Sequence, residues 1–274
     1  MSTEPPAFGT AAGDPDRQLV SDAATAPARR GSALDEARAA LAAQSDAVLA
    51  WSEPFSGDEL ARPSPLEGWT RGQLIAHLAI SNGRIAELPG RPSAEDPIPL
   101  HEYVRAYRPS AAEIVAQVDA ITGDPRDALR TRTAEALAAI DAGIPPVVQA
   151  QRGPLRDVDA ILTRTIELTV HSLDLGAPLE RSALDLVVRT FVRMLADTAP
   201  GRSVELRVPP FAAAQIVEGQ THRRGTPPAT VEIAPTDWLR LATGRISWAD
   251  ALADGTLRAS GERSDLSPYL PLLS

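Results

Sequence analysis

The apolar pattern of this chain changes its period at about residue 202, and this change limits the fold more than any other feature. Before that point, apolar residues recur at the three-to-four-residue spacing of amphipathic helices. After it, the segment SVELRV alternates apolar and polar residues, as a half-buried strand does. The 274 residues exceed the usual size of a single domain. The sequence therefore predicts an all-helical domain followed by a small α+β domain.

Three regions follow from this pattern. Residues 1–30 contain few large apolar groups and are predicted to form a disordered tail. Residues 31–201 are predicted to form a helical bundle, with helices at about 33–52, 70–85, 99–107, 110–121, 125–142, 156–175 and 182–198. Residues 202–274 are predicted to form the α+β domain, with strands at 203–208, 211–219, 229–235 and 256–260, amphipathic turns at 237–245 and 247–255, and a terminal helical segment at 264–273.

Composition excludes several classes of protein. The net charge of -9 and the pI near 5.0 argue against a nucleic-acid-binding protein, which normally carries a basic face. No stretch approaches the roughly 18 apolar residues of a membrane-spanning helix, and the N-terminus does not resemble a signal peptide. We therefore expect a cytoplasmic protein. The chain has no Cys, so any thiol chemistry requires a thiol cofactor.

Two segments about ninety residues apart contain the strongest candidates for chemistry. LEGWTRGQLIAHL contains His77, and RTIELTVHSLDL contains Glu167 and His171. Glu167 and His171 are four residues apart on a predicted helix, which places them on one face about 5 to 6 Å apart. Two imidazoles and one carboxylate form the ligand set of an open zinc site, in which a fourth position remains for water or substrate.

Each of these residues also has a simpler interpretation. Arg164, Glu167, His171 and Asp174 could form the solvated stripe of an amphipathic helix. His77 could be a core imidazole that is bonded to a carbonyl group. The other two histidines, His101 and His222, are expected to be exposed or to lie outside the direct ligands.

The two segments resemble the metal-binding motifs of the mycothiol-dependent maleylpyruvate isomerase family. The resemblance covers about residues 33–272 and implies a DinB-like four-helix bundle followed by a sterol-carrier-like domain, whose clearest part runs from Trp238 through Gly244, Gly255 and Gly261. Carried over by residue, it implies zinc, or another divalent metal, bound by His77, Glu167 and His171. Asp174 would orient His171 or would simply pack at the helix end.

The resemblance also implies a reaction class. Mycothiol would supply the nucleophilic thiol, and the reaction would be an isomerisation or a thiol transfer on a small electrophilic substrate. An acidic substrate would need a cation near the metal, and Arg245, which follows Gly244, is the predicted catalytic residue. The other arginine candidates of this region are Arg207, Arg223, Arg224, Arg240, Arg258 and Arg263.

Two other functional classes remain open at this point. Sterol-carrier-like domains enclose apolar ligands, so the chain could instead carry a lipid or another small molecule beside a bound metal. Against a purely structural zinc, only three protein ligands are evident, whereas structural sites usually have four. The third possibility is an unrelated metal hydrolase. In each case the expected partners are small molecules, and the protein is expected to be a monomer or a small homo-oligomer.

Overall fold

The computed structural model describes residues 27–105, 111–219 and 229–273. Its α-helices are α1 (Pro27–Ser52), α2 (Gly57–Leu60), α3 (Arg71–Gly83), α4 (Leu100–Arg105), α5 (Ala111–Asp119), α6 (Pro125–Ala142), α7 (Asp157–Leu175), α8 (Arg181–Thr198), α9 (Pro235–Ala242) and α10 (Trp248–Ala253). Its strands are β1 (Val147–Ala150), β2 (Gly153–Arg156), β3 (Val204–Val208), β4 (Ala212–Ile216), β5 (Ala229–Ile233) and β6 (Leu257–Ser260). Two short 3₁₀ segments, Arg84–Gly90 and Ser267–Tyr269, complete the elements of these ranges.

Four long helices, α1, α3, α6 and α7, pack together as a bundle. Their apolar faces are buried, with Leu41, Leu74, Leu129 and Ile161 at 0% exposure. The helix α8 packs against α1 on one side and against β4 and α9 on the other. The predicted fold class, a helical bundle followed by a small domain that contains a sheet, is confirmed.

Local sequence signals set the limits of the helices that carry the candidate site. Thr70 caps α3: its hydroxyl accepts from the backbone N–H of Gln73, and the Gln73 side chain accepts from the N–H of Thr70. The helix α7 ends before Gly176, which adopts the left-handed conformation that glycine tolerates best. The prediction of helices at these two places is confirmed.

A hairpin of β1 and β2 lies in the segment for which the sequence predicted only a connection. Val148 pairs with Leu155, and both side chains are fully buried. Each strand has only four residues, and Pro145, Pro146 and Gly153 interrupt the apolar pattern, so alternation is too short to detect. Because β2 leads directly into α7, the hairpin sets where that helix begins.

The second part of the chain contains a four-stranded sheet in the order β4–β3–β5–β6. The strands β3 and β5 are parallel, and the other two pairs are antiparallel. Alternate residues of β3, namely Val204, Leu206 and Val208, are buried, as the period of two predicted. Trp238 of α9 is also fully buried.

Two predicted elements have other bounds in the structure. The helix α1 begins at Pro27, six residues before the predicted start at residue 33. The predicted helix at 264–273 is only a 3₁₀ turn at Ser267–Tyr269, because Pro268 and Pro271 lack the N–H groups that a helix needs. The predicted tail falls mostly on residues 1–26, which lie outside the described residues, as do Ser110, the first residue of the helix predicted at 110–121, and His222.

Within the described ranges, every helix is too short or too polar to span a lipid bilayer.

Candidate metal centre

The two halves of the predicted site come together between α3 and α7. His77 lies in the middle of α3, whereas Glu167 and His171 lie one turn apart on α7. Each of the three side chains offers one ligand atom, and these three atoms all lie within 4.8 Å of one another. The simpler interpretation of Glu167 and His171 as part of a solvated stripe does not hold, since the His171 side chain is 14% exposed and Glu167 is 25% exposed.

The distances within the triad suit a metal ion better than hydrogen bonds. Oε2 of Glu167 lies 3.5 Å from Nε2 of His77 and 3.4 Å from Nε2 of His171. Direct hydrogen bonds of this type are usually about 2.7 to 3.2 Å long. Tetrahedral zinc holds N and O ligands at about 2.0 to 2.2 Å, which places neighbouring ligand atoms roughly 3.4 Å apart. The residues present therefore fit a divalent cation.

The other ring nitrogen of His171 is held by Asp174. Nδ1 of His171 lies 2.9 Å from Oδ2 of Asp174, which is the relation expected if Nδ1–H donates to the carboxylate. In the neutral imidazole, this arrangement leaves Nε2 directed at the triad with its lone pair available. Arg245, in the turn after α9, then donates from Nε to Oδ1 of Asp174 at 2.6 Å and from Nη2 to Oδ2 at 2.5 Å. The orienting role predicted for Asp174 is consistent with this chain of contacts.

Charges in the triad shift the pKa values of its members. Burial by itself would raise the pKa of Glu167, but the two histidines hold it well below its usual range. Burial would lower the pKa of His171, but Asp174 and Glu167 outweigh it and raise that pKa to about 9. Burial would raise the pKa of Asp174, but Arg245 and His171 lower it to about 2. Without a metal, the centre therefore holds a proton on His171 at neutral pH.

A cavity of about 360 Å³ opens onto the triad and receives residues from both parts of the chain. Its apolar wall contains Leu66, Trp69, Val104, Ile166 and Leu273. The indole of Trp69 meets the His77 ring edge to face, with the ring centroids 5.7 Å apart. The cavity is therefore a mainly apolar pocket with the three candidate ligands on one side, as is typical of small-molecule sites.

Three arginines line the same cavity: Arg152, Arg164 and Arg245. The sequence singled out Arg245 as the substrate cation but did not consider Arg152 or Arg164 for this role. Arg164 lies one turn before Glu167 on α7, so its helical spacing from the ligands could have indicated it. Arg152 lies in the turn of the unpredicted hairpin, with its guanidinium 5.1 Å from the centre of the Tyr103 ring, and no sequence signal marked it.

The remaining candidates lie elsewhere. Arg207 pairs with Glu205, Arg240 with Asp237, and Arg263 donates to the backbone oxygen of Glu218. These three arginines and Arg258 of β6 are absent from the cavity lining. His101 lies outside the triad and is 4.0 Å from a carboxylate oxygen of Asp197. His222, Arg223 and Arg224 fall in the segment 220–228, outside the described residues.

Comparison with known proteins gives two family matches. Residues 41–176 match the mycothiol maleylpyruvate isomerase N-terminal domain. This range of the chain includes all three members of the triad. Residues 180–272 match the bacterial SCP ortholog family, so the second match begins at α8, a helix that the sequence placed in the bundle domain. No curated protein sequence matches the chain.

Two solved structures share the fold. They are a crystal structure of the mycothiol-dependent maleylpyruvate isomerase, 19% identical, and one of its histidine-to-alanine mutant, 18% identical. Each superposes with a TM-score of 0.53 and covers 84% of this chain and 94% of the other. At this identity the likeness concerns the fold, and it extends over the bundle and the sheet together.

Proposed function

The chain belongs to the mycothiol-dependent maleylpyruvate isomerase family, a family of enzymes, and we propose that it uses a bound divalent metal and mycothiol to act on a small acidic electrophile. Zinc is the proposed metal. The reaction is an isomerisation, or the simpler transfer of the thiol to the electrophile. The proposed ligands are His77, Glu167 and His171.

The observation that carries this proposal is the spacing of the triad. Separations of 3.4 and 3.5 Å between Oε2 of Glu167 and the two imidazole nitrogens are too long for good hydrogen bonds and match neighbouring ligands of one tetrahedral ion. Three protein ligands leave a fourth position for an exogenous group, which is typical of catalytic zinc and not of structural zinc. The cavity that Trp69 and Leu273 help to line also contains the three ligands in its wall, so it would admit such a group.

The metal and the residues around the triad would each have a separate role in the reaction. A bound divalent cation would favour the deprotonated, nucleophilic form of a thiol, which the chain cannot supply because it has no Cys. Asp174 holds His171 so that Nε2 points to the triad. Arg164 and Arg245 line the cavity and supply positive charge for a substrate carboxylate. The apolar wall limits the access of water to the reacting atoms.

In the isomerisation, the thiol loses its proton and its sulfur forms a bond to one carbon of the substrate double bond, while the electron pair of that double bond moves onto the conjugated carbonyl as an enolate. The adduct rotates about the resulting single bond. The enolate pair then reforms the double bond in the trans geometry, the carbon–sulfur bond breaks, and the thiolate is released. In the transfer reaction, the enolate instead takes up a proton equivalent to the one that the thiol lost, and the adduct is the product. Both reactions need the same thiol, the same metal and the same carboxylate-binding arginines.

The test of this proposal compares two histidine variants. Purified protein is analysed for metal, loaded with zinc, and incubated with mycothiol and maleylpyruvate, while isomerisation and thiol consumption are followed. We expect about one zinc per chain and turnover in the wild type. His171→Ala should lose the bound zinc and the turnover, while its circular dichroism stays unchanged. His101→Ala, which removes a histidine outside the triad, should keep the zinc and the turnover. Turnover retained in His171→Ala would reject the proposal.

A second candidate, a lipid or small-molecule carrier, is favoured by the match of residues 180–272 to the bacterial SCP ortholog family. A carrier should copurify with an apolar ligand or extract one from vesicles, and its uptake should not depend on zinc. Extraction that is equal in wild type and His171→Ala, without thiol turnover in either, would favour this candidate. The expected cytoplasmic location and the monomeric or small homo-oligomeric state stay predictions.

A further inference from the structure

A second cavity, of about 200 Å³, adjoins the cavity of the candidate metal centre. We call it the side cavity: the 3₁₀ segment supplies Arg84 and Glu87 on one side, together with Arg91 just after the segment, and the hairpin supplies Gln149, Ala150 and Gln151 on the other. Tyr103, Thr163 and Arg164 line both cavities. Since one liquid water occupies roughly 30 Å³, the side cavity has room for a group of ring size.

The two cavities differ in chemistry. The cavity of the candidate metal centre, which we call the metal cavity, has a largely apolar wall. The side cavity instead presents two primary amides, from Gln149 and Gln151, and several guanidinium groups. A primary amide both donates and accepts hydrogen bonds, as a hydroxyl group does. The side cavity contains one carboxylate, from Glu87, which Arg91 pairs at 2.8 Å. Its lining therefore suits an uncharged, hydroxyl-rich group better than an apolar or cationic one.

The polar groups of the side cavity are held in place by one another. Arg84 donates from Nη1 to Oε1 of Gln151 at 2.7 Å and from Nη2 to Oε1 of Gln117 at 2.9 Å. The backbone N–H of Gln149 donates to the backbone oxygen of Arg91 at 2.7 Å, which joins the hairpin to the end of the 3₁₀ segment. These contacts organise the lining before any ligand arrives, and such preorganisation lowers the entropic cost of binding.

The side cavity is within reach of the candidate metal centre. Arg164 lines both cavities, and Glu167 follows it by three residues on α7, which is less than one helical turn of about 5.4 Å. A ligand whose polar end occupies the side cavity could therefore place a reactive group at the triad by passing the shared wall of Tyr103, Thr163 and Arg164. Mycothiol has this form, since its cysteine thiol is carried on an amino sugar joined to inositol.

We propose that the side cavity binds a hydroxyl-rich ring of the thiol cosubstrate and thereby directs its sulfur to the candidate metal centre. This inference rests on the proposed function, because it assumes that the triad receives the thiol. It assigns Arg91, Gln149 and Gln151 to recognition of the thiol. The acidic substrate is then left to Arg164 and Arg245, two of the three arginines that line the metal cavity.

The test measures binding as well as turnover. Isothermal titration calorimetry on the zinc-loaded protein gives the Kd of mycothiol and the Kd of N-acetylcysteine, which has the thiol but lacks the rings. The variant is the double substitution of Arg91→Ala and Gln149→Ala. The control is Arg130→Ala, because the side chains of Arg130 and Arg91 are 54% and 53% exposed and each pairs with an acidic residue three or four positions before it.

We expect the double variant to bind mycothiol about tenfold more weakly, which corresponds to about 1.4 kcal/mol, and to bind N-acetylcysteine as the wild type does. Arg130→Ala should match the wild type with both thiols. A second variant, Ala150→Phe, should weaken mycothiol binding by filling the cavity, again without affecting N-acetylcysteine.

Three outcomes would overturn the inference. The first is an unchanged Kd for mycothiol in the double variant, while the wild type binds it. The second is equal weakening of both thiols, which would mean that the substitutions disturb the metal centre. The third is a raised KM for the acidic substrate with unchanged mycothiol binding, which would assign the side cavity to the substrate. Failure of the zinc-loaded wild type to bind either thiol would instead contradict the proposed function on which the inference rests.

Discussion

Arg245 holds Asp174 by two parallel hydrogen bonds, of 2.6 Å from Nε and 2.5 Å from Nη2, and Asp174 in turn holds the ring of His171 at 2.9 Å. Arg245 follows α9, a helix of the part of the chain that contains the four-stranded sheet, whereas Asp174 and His171 lie on α7, a helix of the bundle. A guanidinium–carboxylate pair joined by two hydrogen bonds has a defined geometry, and its hydrogen bonds are stronger than those between neutral groups. The orientation of a proposed metal ligand therefore depends on a residue from the second part of the chain.

The first prediction concerns metal affinity. Asp174→Ala removes the acceptor that orients His171, and loss of such a partner typically weakens metal binding by about 10- to 100-fold. Arg245→Ala should weaken zinc in the same direction by a smaller factor, since Asp174 remains but is less firmly held. Zinc Kd is measured by competition with a chelator. Arg240→Ala, at an exposed arginine of α9, is the control. A zinc Kd in Asp174→Ala equal to that of the wild type would contradict the orienting role.

The second prediction concerns protons released by metal binding. The pKa of His171 is raised to about 9 in the metal-free protein, so this imidazole is protonated at pH 7 and must lose its proton to bind a cation. We expect release of about one proton per zinc at pH 7. Calorimetric titration in two buffers of different ionisation enthalpy gives this number. Apparent binding enthalpies that are equal in both buffers would show that no proton leaves.

The third prediction concerns the pH dependence of stability without metal. The folded-state pKa of His171 is about 9 and its reference value is 6.5, so its charged form stabilises the fold below pH 6.5. That contribution is lost as the pH rises through 9. Urea unfolding of the metal-free protein should therefore show a free energy of unfolding that falls between pH 6.5 and 9. His171→Gln should lack this component, and identical slopes in the two proteins would rule it out.

The fourth prediction concerns the junction between α8 and β3. A Cβ atom at Gly201, where φ is +152°, would lie 2.0 Å from the backbone oxygen of Val217. Gly255 also has a positive φ, of +79°, but a Cβ there meets nothing within 4 Å. We expect Gly255→Ala to cost about 1 to 2 kcal/mol from backbone conformation. Gly201→Ala should cost roughly 1 to 3 kcal/mol more from the clash. Thermal unfolding compares the two, and equal losses would contradict the predicted clash.

Local signals explain why the helices of the site could be predicted from the sequence. Thr70 and Gln73 form the capping box that starts α3, and Gly176 ends α7, so both helices are limited by residues within a turn of their ends. The hairpin was missed for the opposite reason. Val148 and Leu155 are stabilised by burial against other parts of the chain, and a four-residue strand carries too little alternation to reveal this.

The sequence alone determined the change from helices to strands, the face shared by Glu167 and His171, and the absence of a protein thiol, because each depends on residues that are near in the chain or on composition. Only the tertiary structure decided that Nε2 of His77 lies 3.5 Å from Oε2 of Glu167, that Arg245 donates hydrogen bonds to Asp174, and that a polar cavity adjoins the metal cavity. These contacts join residues 71 to 90 positions apart, or separate elements, and packing of the helices against one another sets their distances. Periodicity records which way a side chain faces along its own helix, but not what it meets there.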